Sequence, residues 1–337
     1  MLTADFDYEL PEDAIAQSPA EPRDSSRLLV TADMSDHLFS ELPDLLGPKD
    51  IVVVNDTRVR AARLHLTKTE TGGAVELLLL EQREDGQWEA LVRPARRLRQ
   101  GTRLSGEHLT ARLVSDPVDG IAVVSIDADG DVEEAIERAG EVPLPPYITA
   151  ALPDAGRYQT VYARTTGSAA APTAGLHFTE ALFERLDRGT AGIVRVELRV
   201  GLGTFRPIAT ETVEDHQMHR EWVSVPEETV SAIETARRRG GRVVAIGTTV
   251  VRALETAARE GTLQPWTGHT DLYITPGFRF RVVDRLVTNF HMPRSSLLVM
   301  IAAFMGSRWK EAYATALERG YRFLSFGDAM LCDREGT

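Results

Sequence analysis

The stretch "RVVAIGTTVVRALETAARE", residues 242–260, places a short apolar run, a glycine and a helical pattern in direct succession. The run Val243–Ile246 is β-branched and apolar, which predicts a buried strand, and Gly247 predicts a tight turn after it. The segment that follows has the apolar spacing of a helix. Because a strand that leads directly into a helix is the repeating unit of α/β proteins, we expect an α/β fold with parallel strands.

The remainder of the chain after Arg157 continues this alternation of strands and helices. Thr179 is placed to cap a helix that ends at Gly189, and Phe178 and Phe183 are spaced as a hydrophobic staple around that cap. The further predicted elements are a strand at 193–200, a helix that begins near residue 226, and two paired helices at 295–306 and 309–320.

The middle of the chain has a different pattern of apolar and polar residues. Short apolar or alternating runs at 74–81, 88–94, 109–114 and 121–127 are separated by polar, glycine-containing turns, which is typical of a small antiparallel β domain or barrel. The proline-rich "VPLPPYI" that follows must be largely extended and suggests a hinge. We therefore predict a main α/β domain, residues 1–62 plus 157–337, interrupted by a β-barrel-like domain at 63–156.

Composition narrows the classes of function. The chain has 337 residues, a formal net charge of −12 and a single cysteine, Cys332, which leaves no disulfide framework or cysteine-rich zinc site. The longest apolar run, Leu297 to Met305, is too short to span a bilayer, and the N-terminus lacks the pattern of a secretory signal. These observations favour a cytoplasmic location with no membrane partner.

A local basic patch is nevertheless present. The segment "RPARRLRQGTR" carries Arg93, Arg96 and Arg97 with no acidic residue among them, and it could bind RNA phosphates. The chain has 35 arginines and three lysines, so a coding bias could also produce such a cluster.

Several polar residues follow predicted strands or lie near turns. Thr248 and Thr249 would open a helix beyond a strand's carboxyl end, where an anion could bind or where both could simply cap the helix. The glycines of "VGLGTF" lack the third glycine and the helix of a dinucleotide-binding motif. His216, His219 and Glu221 are close in sequence, but without a helical i, i+4 pair they favour substrate contact over a metal site. His291 and Asp328 could each be solvated loop residues or hydrogen-bond anchors.

Taken together, nine stretches resemble the S-adenosylmethionine:tRNA ribosyltransferase-isomerase family of queuosine biosynthesis in their order and spacing. They are "NDTRVRAARL", "PLPPYI", "RYQTVYA", "AAPTAGLHFT", "VGLGTFRP", "HQMHRE", "AIGTTVVRALE", "VTNFHMPRSSLL" and "YRFLSFGDAML", and the opening "DFDYELPEDAIAQSPAEPRDSSRLL" is similar as well. The resemblance implies an α/β domain interrupted by a β-barrel-like domain. It also implies transfer and isomerisation of the ribosyl part of S-adenosylmethionine onto 7-aminomethyl-7-deazaguanine in the tRNA anticodon, with release of adenine and methionine.

The resemblance also suggests site residues. The implied reaction needs a base at the carbon beside the sulfonium and an acid for adenine, which histidines can supply. We expect His177 and His219 as the preferred catalytic pair, His291 as a third candidate, and Glu221 or Asp328 as orienting carboxylates. The expected substrate-binding residues are Thr173, Gly175, Gly203, Thr204, Phe205, Thr248, Thr249, Arg252, Asn289 and Phe290, with the aromatic rings of Phe205 and Phe290 facing the sulfonium.

The expected partners are the tRNA anticodon loop, contacted by Arg93, Arg96 and Arg97, and S-adenosylmethionine, which is consumed as a cosubstrate. No cofactor and no metal are expected, and the simplest assembly is a monomer. Two alternatives remain open: the same donor chemistry on a small-molecule amine, or a tRNA-binding protein without turnover. The family usually has a histidine where this chain has Arg199, and the hinge is shorter than usual, which indicates either drift at a tRNA-facing edge or a different acceptor.

Overall fold

The computed structural model describes residues 1–201 and 207–336. In chain order, the strands are β1 (Arg27–Val30), β2 (Ser35–Leu38), β3 (Ile51–Asn55), β4 (Thr57–Val59), β5 (Arg63–Lys68), β6 (Ala74–Gln82), β7 (Trp88–Arg93), β8 (Arg103–Ser105), β9 (Leu109–Leu113), β10 (Ile121–Ala128), β11 (Gly140–Glu141), β12 (Thr165–Ser168), β13 (Ile193–Leu198), β14 (Glu221–Val225), β15 (Val243–Ile246), β16 (Trp266–Thr270), β17 (Arg285–Asn289) and β18 (Ala329–Asp333). The α-helices are α1 (Leu42–Leu45), α2 (Val132–Ala139), α3 (Glu180–Gly189), α4 (Glu227–Arg238), α5 (Thr248–Ala257), α6 (Ser296–Met305) and α7 (Arg308–Glu318).

The chain divides into two compact units, residues 1–58 with 145–337 and residues 59–144. The sequence placed these boundaries at 62/63 and 156/157. The second boundary differs because the segment after Leu144 bonds to the first unit: the Tyr147 hydroxyl lies 2.7 Å from Ser325 Oγ, and the Gln17 side chain donates to the Tyr147 carbonyl at 2.9 Å.

The first unit is built on a nine-stranded mixed sheet. Its strand order is β16-β14-β13-β3-β15-β17-β18-β1-β2, and the central strands β13, β3, β15 and β17 run parallel. Every residue of β3 and β15 is buried, as expected where both faces of a sheet are covered. The predicted strand at residue 243 and helix after Gly247 are present as β15 and α5, which confirms the α/β class.

Helix α3 shows how local sequence sets an element of this unit. Thr179 Oγ1 accepts a hydrogen bond from the Leu182 backbone N–H at 3.2 Å, so the predicted cap is confirmed. The rings of Phe178 and Phe183 meet edge to face with their centroids 6.0 Å apart, which confirms the staple. Phe178 is fully buried, so the cap and the staple fix the direction of the chain as it leaves the segment before α3.

The second unit is a closed β-barrel. The strands β5, β6, β7, β10, β9 and β8 pair antiparallel in that order, and β5 also pairs with β8, which closes the sheet on itself. The burial alternates along β9, as it must when one face of a strand fills a barrel interior. Helix α2, capped by the Asp131 carboxylate, packs on β9 and β10. The predicted barrel-like insertion is therefore confirmed.

No helix in the described part of the chain is long and apolar enough to cross a membrane.

Candidate functional site

The parallel strands of the first unit end at a common edge. Because β13, β3, β15 and β17 run parallel, the residues that follow their carboxyl ends gather there, as in other α/β sheets that bind ligands. Gly247, which follows β15, has φ of 94°, a conformation that favours glycine. A Cβ built on Gly247 would lie 3.6 Å from the Ala174 Cβ, so the turn before α5 touches the segment that carries His177.

That segment forms a single 3-10 turn, Thr173–His177. Gly175 is required there because a Cβ at this position would collide with the Tyr162 hydroxyl. The turn is held against the end of β17 and brings Thr173, His177 and Asn289 together.

His177 lies in a chain of buried hydrogen bonds. Its Nδ1 lies 2.7 Å from Ser26 Oγ and its Nε2 lies 3.1 Å from Asn289 Nδ2. Asn289 Oδ1 accepts from Thr173 Oγ1 at 2.9 Å. The imidazole also stacks on Phe39, with centroids 4.7 Å apart. Both ring nitrogens are therefore engaged inside the protein.

Burial sets the protonation of this ring. His177 is only 4% exposed, and desolvation lowers its pKa to about 3, with the positive charges of Arg322 and Arg23 acting in the same direction. The imidazole is therefore neutral near pH 7.

A small cleft adjoins this chain of bonds. It is lined by His291, the Asn289 amide, apolar residues such as Phe290, and four residues with hydroxyl groups, Tyr147, Thr173, Ser295 and Ser325. His291 Nε2 lies 3.0 Å from Thr288 Oγ1, and its backbone N–H donates to the Tyr313 hydroxyl at 2.9 Å. Burial lowers the pKa of His291 to about 3, so this ring is also neutral near pH 7.

A buried ion pair lies beyond the end of β13. The Arg252 guanidinium pairs with the Glu221 carboxylate, whose other oxygen accepts from the Gly201 N–H at 3.0 Å, and Arg252 Nε donates to the Leu272 carbonyl at 3.2 Å. Burial lowers the pKa of Arg252 to about 10, so the side chain stays charged near pH 7. Glu221 therefore holds a buried cation in place at the site.

Two buried donors near the start of α5 have no partner among the described residues. They are Arg252 Nη2 and Thr249 Oγ1, which are three residues apart on the helix and so share one of its faces. Thr248 is also buried, and no side chain caps this helix N-terminus. Free donors at a helix N-terminus create a site that favours an anion.

Other candidates have local structural roles. The Asp328 carboxylate accepts from the backbone N–H groups of Arg27 at 2.9 Å and Arg322 at 2.8 Å, so it anchors the start of β1 and a turn. The Phe290 ring is fully buried and packs on Tyr313 and Phe323, with centroids 5.4 and 4.8 Å away. Phe290 also lines the cleft beside His291, so its role toward a sulfonium stays a prediction.

His219 has no direct bond to His177 among the described residues. It is exposed, and within those residues no ring contact joins the two either. Its neighbour His216 meets the Tyr273 ring edge to face at 5.6 Å. Within the ranges 1–201 and 207–336, no three His, Cys, Asp or Glu side chains converge as a metal site would require. Gly203, Thr204 and Phe205 lie outside the described residues.

The basic patch lies on the barrel unit. Arg93 ends β7, and Arg96 and Arg97 lie in the 3-10 turn Ala95–Arg97 that follows. All three arginines are exposed. Arg199, where the family usually has histidine, pairs with Glu197 at 2.6 Å and lies over the Trp222 ring.

Sequence reasoning missed three residues of the site: Ser26, Phe39 and Tyr147. Ser26 is separated from His177 by 151 positions, and no periodic pattern links them. Ser26 and Tyr147 do lie within stretches that carry the family resemblance, "DSSRLL" and "PLPPYI", which was the available signal.

Comparisons with known proteins agree with this architecture. The family model described as queuosine biosynthesis protein matches residues 3–332. A relative from Halothermothrix orenii is 48% identical over 98% of this chain and 99% of its own, and one from Rubrobacter xylanophilus is 51% identical over 98% and 97%. Both are named S-adenosylmethionine:tRNA ribosyltransferase-isomerase.

A solved structure is similar as well. The crystal structure of S-adenosylmethionine tRNA ribosyltransferase from Thermotoga maritima is 39% identical, has a TM-score of 0.55, and the match covers 97% of this chain and 99% of that one. The family resemblance inferred from the motifs is thereby confirmed. The chain, with its α/β sheet interrupted by a closed barrel, belongs to the queuosine biosynthesis protein family, as an enzyme of the S-adenosylmethionine:tRNA ribosyltransferase-isomerase type.

Proposed function

We propose that this enzyme transfers and isomerises the ribosyl moiety of S-adenosylmethionine onto 7-aminomethyl-7-deazaguanine in the tRNA anticodon, yielding epoxyqueuosine-tRNA, adenine and methionine. The observation that carries the proposal is the site at the carboxyl edge of the sheet, which is assembled from stretches that carry the family resemblance. S-adenosylmethionine is consumed in this reaction, and we propose that the enzyme needs neither a cofactor nor a metal.

The start of α5 is suited to the methionyl carboxylate. Arg252 offers a free N–H at Nη2 and a positive charge, Thr249 offers a free hydroxyl, and the helix N-terminus adds the positive end of its dipole. Glu221 keeps the Arg252 guanidinium in position, and Gly201 in turn fixes Glu221. We assign Thr248, Thr249 and Arg252 to cosubstrate binding on these grounds.

Proton transfer is assigned to histidines other than His177. The sulfonium acidifies the adjacent ribose C5′ hydrogens, so a base is required there, and adenine leaves more easily when it is protonated. His291 lines the cleft, and among the described residues only its Nε2 has a hydrogen-bond partner, whereas both ring nitrogens of His177 have one. His219 lies two residues before Glu221 in the chain and is exposed. We propose these two residues for the base and acid steps.

The tRNA partner follows from the chemistry of the acceptor. The modified base must leave the stack to reach a cleft, which favours an anticodon loop over a duplex. We propose that Arg93, Arg96 and Arg97 bind the RNA backbone, because they are exposed and carry positive charge on a chain of net charge −12. A cytoplasmic, monomeric enzyme is the corresponding expectation.

One assay tests the proposal against its alternatives. The protein is incubated with S-adenosylmethionine and either tRNA bearing the aminomethyl base, unmodified tRNA, or a small-molecule amine, and adenine and methionine are measured. Release that depends on the modified tRNA supports the proposal. Release with the small amine supports the alternative acceptor, and tRNA binding without release in any mixture would show a binding protein.

A further inference from the structure

The bonds around Asn289 fix the orientation of its amide. Asn289 Nδ2 lies 3.4 Å from the Asp328 carbonyl and 3.1 Å from His177 Nε2, while Oδ1 accepts from Thr173 at 2.9 Å. A reversed amide would place two oxygens against each other at Asp328. The nitrogen of Asn289 therefore faces both His177 and Asp328, and the oxygen faces Thr173.

This orientation determines the tautomer of His177. Because Asn289 Nδ2 donates, His177 Nε2 must accept, so the ring proton resides on Nδ1 and is donated to Ser26 Oγ at 2.7 Å. A doubly protonated ring would set an N–H against the amide N–H groups. The chain of bonds therefore has one direction, from Thr173 through Asn289 and His177 to Ser26.

The direction of these hydrogen bonds determines what the Thr173 hydroxyl can do. Its hydroxyl has one hydrogen, which is donated to Asn289 Oδ1. Thr173 is partly exposed and lines the cleft beside Tyr147 and Ser325, whose hydroxyls are hydrogen-bonded to each other at 2.7 Å. The Thr173 oxygen can therefore only accept a hydrogen bond from whatever occupies the cleft.

We infer that Thr173 Oγ1 is a preset hydrogen-bond acceptor that recognises a donor group of the cosubstrate, a ribose hydroxyl or the amino group, and that Ser26, His177 and Asn289 are positioning residues that set its direction. The inference rests on the proposed function for the identity of the cosubstrate. Acceptor groups such as a carboxylate or the adenine ring nitrogens cannot bond to Thr173 in this arrangement.

The first test measures cosubstrate binding by calorimetry. Thr173→Val removes the hydroxyl at nearly constant volume and should weaken S-adenosylmethionine binding about 10-fold, whereas Thr173→Ser should stay within about 2-fold of wild type. Thr235→Val is the matched control: Thr235 Oγ1 donates to the Ser231 carbonyl and accepts from Arg238 Nη2, both within α4, so the substitution should not change binding. Equal affinities for Thr173→Val and wild type would overturn the inference.

Analogues identify the donor group. Binding of 2′-deoxy, 3′-deoxy and desamino analogues is compared between wild type and Thr173→Val. The analogue that lacks the recognised donor should bind both proteins equally, while the others keep the 10-fold difference. If Thr173→Val weakens every analogue by the same factor, the contact is not with the cosubstrate and the inference fails.

The second test requires no substrate and so is independent of the proposed function. Nitrogen NMR of histidine-labelled protein, with the His177 signal assigned from His177→Gln, should show a neutral Nδ1–H ring throughout pH 5 to 8. Asn289→Asp should change that tautomer, because the new carboxylate requires a donor from Nε2. An Nε2–H tautomer in the wild type, or titration within this pH range, would overturn the inference. Wild-type protein that shows the expected tautomer but releases no adenine would refute the proposed function alone.

Discussion

Arg252 and the arginines at the end of β7 have the same side chain in opposite surroundings. Arg252 is 5% exposed, paired with Glu221 and bonded to a carbonyl, whereas Arg93, Arg96 and Arg97 are exposed. A buried cation cannot be separated from its partner without a large cost, while an exposed one exchanges water and ions freely. A substitution at Arg252 or its partner should therefore affect folding and binding together, whereas one at the exposed arginines should affect binding alone.

The largest effect should come from breaking the buried pair. Glu221→Ala leaves Arg252 as an uncompensated buried charge and should lower the free energy of unfolding by about 3–5 kcal/mol, with loss of cosubstrate binding. Urea unfolding followed by circular dichroism measures the first effect. Glu197→Ala, whose carboxylate pairs with the partly exposed Arg199, is the control and should cost less than about 1 kcal/mol. If both variants lower the free energy of unfolding equally, burial does not explain the difference expected between these two ion pairs.

The next-largest effect should be a loss of stability in acid that comes from the buried histidines. Because burial depresses the pKa of His177 and His291 to about 3 in the fold, the unfolded chain binds more protons below about pH 6.5. Stability should be complete above that pH and fall, by up to about 1.4 kcal/mol per pH unit for each histidine, as the pH drops toward 3. Unfolding midpoints at pH 7.5, 5.5 and 4.5 measure the slope.

Substitutions then measure how much each histidine contributes to the loss of stability in acid. His177→Gln and His291→Gln should each flatten the acid slope, whereas His65→Gln, at an exposed position of the barrel, should leave it unchanged. A slope that is the same in wild type and both buried-site variants would assign the acid sensitivity to other groups.

The exposed arginines should act on RNA binding. Arg96→Glu with Arg97→Glu should weaken binding of every tRNA alike, by about 10-fold at moderate salt, and reduce the slope of log K against log salt by about 1.5. Stability should change by less than about 0.5 kcal/mol. Arg83→Glu with Arg138→Glu makes the same charge change at other exposed positions of the barrel unit. If both double variants weaken tRNA binding equally, the basic patch acts only through the net charge of the protein and not as a specific binding site.

The smallest effect is expected from the cap of α3, which follows the His177 segment. Thr179→Ala removes the cap of α3 and the 2.9 Å hydrogen bond from Thr179 Oγ1 to the Asp24 carboxylate, and it should cost about 1–2 kcal/mol, while Thr179→Ser, which keeps the hydroxyl, should cost only a few tenths. Thermal unfolding resolves the difference. Because Thr179 follows His177 by two residues, a change in cosubstrate affinity with Thr179→Ala would show that the cap also orders the site.

The sequence analysis succeeded where neighbours in the chain determine the outcome. The cap at Thr179, the staple of Phe178 and Phe183, and the strand and helix around Gly247 follow from local spacing. The partner of His177 could not be found in this way, because Ser26 reaches it from a distant segment. The packing of Phe290 on the aromatic rings of α7 and of the segment after it could not be found from local spacing either.

The barrel illustrates the same limit. Its predicted runs correspond to β6, β7, β9 and β10, which have clear alternation. Closure depends on β8, a strand of three residues that pairs with β5. A strand so short has no pattern of its own, so the closed form emerges only from the pairing.

The pairing of β18 with β1 has a consequence for synthesis on the ribosome. Leu28 lies beside Ala329 in the sheet, and Arg27 bonds to Asp328 across 301 positions of the chain. The barrel unit is a single continuous segment and can close as soon as it has emerged. Strand β1 can pair early with β2, but its other edge must wait for β18 and so for nearly the whole polypeptide. At 5–20 residues per second this interval is roughly 15 to 60 s, during which the edge of β1 that will pair with β18 is open to other partners. The nascent chain therefore presents a finished barrel beside an unfinished sheet, and the latter is where chaperones should bind.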